Sequence, residues 1–183
     1  FETSLKPAEA ASRVQLAFSG EGPARWSIGE MTGAYPGVTF RRALVQLDMG
    51  AKASPLVLDL LTVKNAARAT YDLPLHFAGH IIDTDLKLAS NVAARPVLGK
   101  ANGYQHLWVD AIAPLTNAQG RVTWIADGRF YTYRMATAGA QVILAESGAN
   151  DPRFNLRRAP GGIQRIAGTG GAAFLSLGEP PGR

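Results

Sequence analysis

The chain is a succession of short apolar or alternating runs, cut by Gly, Pro, Asn and Asp. Alternation with period two sends every second side chain of a strand to the same face of a sheet. The pattern predicts strands at 12–19, 24–31, 38–48, 56–64, 69–77, 79–83, 103–113, 121–127, 129–136, 140–147, 162–167 and 172–178. Val38–Leu47, Leu56–Val63, Tyr104–Val109 and Gln141–Leu144 are rich in β-branched and aromatic residues, which suit a pleated, half-buried surface. No window holds an amphipathic helix of three turns. Ala126-Asp127-Gly128-Arg129 joins two runs through Asp-Gly, a strong hairpin signal, and Ala138-Gly139 offers another turn. Residues 84–102 carry little periodicity and end at Asn102-Gly103, an excursion of the length that compact domains reserve for function or motion. The fold class is all-β: an antiparallel β-sandwich of roughly ten to twelve short strands. Residues 1–183 read as one domain, the assignment being weakest over 1–37.

Composition fits one core. Of 183 residues, 46% are hydrophobic and 18% charged, enough apolar surface to offset the entropy of ordering. With no cysteine there are neither disulfides nor thiolate metal sites. No apolar run approaches a membrane span, so no membrane partner is expected. Phe1-Glu2-Thr3-Ser4-Leu5-Lys6-Pro7 shows neither an initiating methionine nor a signal pattern. It reads as a cut inside a longer protein or as a processed chain.

The net charge of +5 suits an anionic partner: nucleic acid, an acidic lipid surface, or a uronate or sulfated polysaccharide. Cations form only small groups, Arg41-Arg42 and the loose set Arg153, Arg157, Arg158 and Arg165, without a nucleic-acid-binding signature. Nucleic acid is therefore not expected. A merely solvated cationic surface is the alternative.

Strand alternation puts Tyr104, His106, Trp108 and Asp110 on one face of 103–113, a mixture suited to stacking on a sugar ring and binding its hydroxyls. The hairpin at 129–134 offers Arg129 and Tyr131 in the same manner. The competing reading is that these rings fill the space between two sheets. His76 and His80 are four apart, which on a helix makes a metal pair, but Pro74 and Gly79 oppose a helix. In a strand, Tyr71, Leu73, Leu75 and Phe77 form the buried face and His76 points away with Asp72. No metal site is expected. A Tyr–His pair could serve proton transfer in a lyase, without any one pair being singled out. Asn150-Asp151-Pro152 is a turn initiator, and the arginines flanking Phe154 are exposed cations in either an anion site or a corner.

Several segments, in order, resemble the end of heparinase II/III-like proteins, the group that includes oligoalginate lyases. They are Phe40–Val45 leading to Leu56–Leu60, Tyr71–His80, Asn102–Trp108, Gly148–Arg157 and Phe174–Pro180. The resemblance covers roughly residues 38–180. It implies a parent with an amino-terminal α-helical toroid joined to β-sandwich domains, periplasmic or secreted, cleaving uronate-containing polysaccharide by β-elimination. In that group a Tyr and His pair handles the protons, and Asn, His or Arg neutralises the carboxylate. Its zinc ligands lie in a His-x-His-Ala-Asp-like stretch and a later His-Asn-Thr stretch. Neither stretch occurs here, so no catalytic or metal residue carries over and zinc is expected only in the rest of the parent. The expectation is a supporting carboxy-terminal sandwich packed on the helical catalytic domain. A free-standing module for acidic glycans and a small intact lyase are the alternatives. Candidate substrate contacts are Tyr104, His106, Trp108, Arg129, Tyr131 and His76.

Overall fold

Thirteen strands form in the computed structural model, whose described residues are 12–51, 53–90, 94–148 and 159–179. They are β1 (Ser12–Ser19), β2 (Ala24–Thr32), β3 (Thr39–Leu47), β4 (Leu56–Lys64), β5 (Ala69–His76), β6 (His80–Thr84) and β7 (Ala89–Ser90). The rest are β8 (Leu107–Pro114), β9 (Gln119–Ala126), β10 (Arg129–Ala136), β11 (Gln141–Ser147), β12 (Ala159–Gly168) and β13 (Ala172–Glu179). Among the described residues the only helical elements are two single 3₁₀ turns, Tyr104–His106 and Thr116–Ala118. Among the described residues no helix is long and apolar enough to cross a membrane.

The strands make two antiparallel sheets. The large sheet runs β1-β2-β3-β4-β13-β10-β9-β6, and the small sheet runs β5-β12-β11-β8-β7. Each of the twelve predicted strands has a counterpart, and the thirteenth, β7, is a two-residue pairing against β8 inside the 84–102 excursion. The Asp-Gly hairpin forms as its chemistry dictates: Asp127 and Gly128 take φ of 49° and 71°, the left-handed pair that a two-residue hairpin needs. Gly79 is required at the bend between β5 and β6. Its φ is +92°, and a Cβ there would sit 1.8 Å from the Ile125 carbonyl oxygen.

One prediction needs correction. The run 103–113 is a strand only from Leu107, because Asn102 and Gly103 both adopt left-handed φ, 58° and 89°, and wind Tyr104–His106 into a 3₁₀ turn. Tyr104 and His106 therefore do not share a strand face with Trp108. Asp110 leaves the alternation as well, since the β8–β11 register shifts between Leu144 and Ala145. The turn expected at Asn150-Asp151-Pro152, with the arginines around Phe154, lies outside the described residues.

The sheets meet through Val122 and Met135 of the large sheet and Ala111, Val142 and Leu144 of the small one. Within this apolar layer Gln164 bridges the sheets. Its amide nitrogen donates to the Tyr133 hydroxyl (3.0 Å), and its carbonyl oxygen accepts from the Thr137 hydroxyl (2.8 Å). Gln164 and Thr137 are 3% and 1% exposed, so water cannot replace either bond. Truncation to Gln164→Ala should cost roughly 2–4 kcal/mol, combining a cavity with stranded hydroxyls. Urea unfolding monitored by tryptophan fluorescence would measure it, and a loss below about 0.5 kcal/mol would show that the bridge is dispensable.

Candidate functional site

The small sheet is apolar on its outer face too. Val109, Ile143 and Ile163 are buried there against Leu98 and Leu107, so residues 94–106 must fold back over it. Val97 bridges to Trp108, and backbone bonds from Leu98 to Leu107 (2.8 Å) and from Val109 to Pro96 (2.9 Å) hold the segment down. Arg95 adds a fork, donating to Asp110 at 2.8 Å and to Glu146 at 2.7 Å. Tyr104 arrives over the sheet at the end of this cover. Gly99 makes room for it, since a Cβ on Gly99 would lie 2.9 Å from the Tyr104 Cβ.

Where the cover stops, a groove of about 280 Å³ opens between Tyr104 and β5, lined by Asp72, Pro74, His76, Tyr104, Gly161 and Ile163 among others. Its floor is open because β12 carries Gly161 and Gly162, and a Cβ on Gly161 would lie 3.2 Å from the Leu75 carbonyl oxygen. At one end three polar groups lock together. Arg165 and Asp72 are direct cross-strand partners, and the guanidinium donates twice to the carboxylate, at 2.8 and 2.7 Å. The Tyr104 hydroxyl donates to the same carboxylate, and the Arg165 guanidinium lies 5.8 Å from the tyrosine ring centroid. Burial, then the bond to Asp72, pushes the Tyr104 phenol up to about 12. The hydrogen bonds that Arg165 donates to Asp72 in turn raise the Arg165 pKa, so this cation stays charged.

The six candidate residues therefore divide. Tyr104 and His76 line one groove, His76 exposed at the end of β5. His106 is exposed at the close of the 3₁₀ turn, where its carbonyl accepts the Gly148 amide at 2.9 Å. Trp108 lies on β8 opposite Glu146, on the other side of the strand from Leu107. Arg129 and Tyr131 belong to the large sheet. Tyr131 stacks on Trp124 (5.5 Å, 11°), which packs on Phe77 (4.8 Å), while Arg129 is exposed. The sequence pattern had set Asp72 beside His76 on the outward face but gave no reason to join it to Arg165. Only the β5–β12 register makes them neighbours.

Among the described residues no three His, Asp or Glu side chains converge as a metal site. His76 ends β5 in the small sheet and His80 opens β6 in the large one, so the two imidazoles do not share a helix face. A larger depression of about 410 Å³ lies at the β3–β4 loop by Pro23, Arg25, Gln46 and Asp48, without an aromatic or imidazole side chain.

The class of protein follows from fold and sequence together. No family model matches the chain. A crystal structure of a heparan sulfate lyase HepC mutant from Pedobacter heparinus shares the fold, with TM-score 0.51 and 12% identity over 93% of this chain and 22% of that one. In sequence, the chain is 45% identical over all 183 residues to an alginate lyase of Stenotrophomonas maltophilia. It is 42% identical over 154 residues, 82% of its length, to an exo-oligoalginate lyase of Saccharophagus degradans. In sequence the chain thus matches one region of these alginate lyases, and in fold it matches one region of a heparan sulfate lyase. It spans about a quarter of the length of these curated relatives, 25% and 21%.

Tyr104 carries a pH signature. A phenol whose folded pKa lies above its unfolded value lends stability that is complete below the unfolded pKa and is lost as pH rises through the folded one. The stability advantage of wild type over Tyr104→Phe should hold up to about pH 10 and shrink between there and about pH 12. Thermal unfolding across that range would check it, and a constant difference would mean that the phenol is not held protonated by its site.

Proposed function

We propose that this chain is the carboxy-terminal β-sandwich of a lyase that cleaves uronate-containing polysaccharide by β-elimination, and that it supports the catalytic part without supplying acid–base groups. An α-helical catalytic domain of the same polypeptide is its partner, and the setting is periplasmic or secreted. The alginate lyase relatives support the substrate class.

The observation that carries the non-catalytic reading is the state of Tyr104. Elimination beside a uronate carboxylate needs a group to take the carbon-bound proton, a group to protonate the leaving oxygen, and a cation or amide on the carboxylate. Tyrosine, histidine and arginine are all near this groove, which makes it the natural place to look. Yet the phenol is already committed to Asp72 with its pKa pushed up to about 12, and the guanidinium is committed to the same carboxylate. A base must be free of its proton near the working pH, and Tyr104 is not. The three groups satisfy one another and brace the groove wall instead.

Incubating the chain with alginate, heparin and heparan sulfate, and following absorbance of the unsaturated product, should show no turnover. Clear turnover abolished by Tyr104→Phe or His76→Ala would establish an intact small lyase instead.

One feature favours a second reading, a glycan contact in the groove. Its glycine floor is open, and His76 is exposed beside Asn102 without a role in the clamp. If acidic glycan binds there, alginate in the gel should retard the wild-type chain and retard His76→Ala several-fold less. Equal retardation of the two would place any binding elsewhere.

A further inference from the structure

The large sheet changes polarity along its width. Over β13, β10 and β9 the face toward the small sheet is apolar, with Phe174, Met135 and Val122 buried. Register carries that same face outward strand by strand. Ser176 stands beside Asp59, Asp59 beside Leu44, and Leu44 beside Ser27. The adjacent rows bring in Arg42 and Gly29, then Gln46 and Arg25. Beyond β4 this face is mixed, with Phe40 beside Met31 in a further row, and Arg42 donates to Asp59 across it at 2.8 and 2.6 Å.

The opposite face behaves in the reverse way. One cross-strand row reads Trp26, Val45, Leu58, Leu177, and the next reads Ile28, Ala43, Leu60, Leu175. A third contributes Ala24, Leu47 and Leu56. None of these side chains is fully buried, and Leu60 and Leu175 are 41% and 38% exposed. Charge resumes at both borders: Glu30 pairs with Arg41 in register on one side, and Arg134 binds Glu179 at 2.6 Å on the other. An apolar sheet face with a charged rim is the anatomy of a buried interface. A sheet solvated on this side would carry polar residues in those rows.

We propose that this outer face of β2, β3, β4 and β13 is the docking surface for an apolar layer in the remaining part of a lyase-length polypeptide. The proposal rests on the functional reading above. The occupant follows from length: the relatives that match the chain contain roughly three to four times as much protein outside the matched part. Sheets buried on both faces read as apolar on both, and here the apolar rows of the outer face run without a charge across β2, β3, β4 and β13.

Leu60 and Leu44 give a matched test, since both are 41% exposed and stand on opposite faces of adjacent strands. The chain would replace its counterpart in the Stenotrophomonas maltophilia alginate lyase, to which it aligns over all 183 residues. Hydrogen exchange of the β3 and β4 amides would then be compared between the chimera and the free chain. Docking should slow exchange about tenfold in the chimera, Leu60→Arg should abolish the gain, and Leu44→Arg should keep it. Equal effects of the two substitutions, or a wild-type chimera that does not fold, overturn the proposal. So does a free chain that sediments as a dimer dissolved by Leu60→Arg and not by Leu44→Arg, because the occupant is then a second copy. Alginate cleavage by the chimera is read separately: protection without cleavage supports the docking and counts against the lyase reading alone.

Discussion

Strand β11 places Val142, Ile143, Leu144 and Ala145 in succession, and all four are buried. Successive residues of a strand face opposite ways, so four in a row require cover on both sides of the small sheet. The large sheet provides it on one side through Val122 and Met135. On the other side, among the described residues, 94–106 lie across Val109, Ile143 and Ile163 with Leu98 and Leu107 in contact. That cover decides where Tyr104 ends up, where the groove opens, and which polar groups are left to meet at its edge.

The polar groups at that edge neutralise one another. Asp72 accepts from Arg165 twice and from Tyr104 once, which leaves the half-buried carboxylate well satisfied and the phenol protonated. The same economy recurs over the surface. Arg42 pairs with Asp59, Arg121 with Asp83, Arg134 with Glu179, and Arg95 with both Asp110 and Glu146. Exposed pairs of this kind add little stability each and leave the net charge of +5 unchanged.

The two sheets differ in how complete they are within this chain. The small sheet has both faces covered, whereas the described side chains of β1, β2 and β3 include none that is buried. Those three strands continue the large sheet past the edge of the sandwich, with an apolar face turned away from the small sheet. The alginate lyase that the chain matches is about four times as long, and a sheet of this width in a larger protein is commonly enclosed between two layers.

Alternation and turn chemistry were enough to define the all-β class, the strand positions and the Asp127-Gly128 hairpin, because period-two burial and left-handed turns are local demands that each segment meets by itself. The order of the resembling segments was enough for the family. The same local rule misread Tyr104, since two consecutive left-handed residues at Asn102 and Gly103 end the alternation that the side chains seem to continue. Tertiary structure alone decided that Asp72 and Arg165, 93 residues apart, form one ion pair, because strand register is a long-range property fixed by how whole sheets close. It also decided that the apolar side of β2–β4 faces away from the core, since alternation marks which residues share a face and never which face another layer will cover.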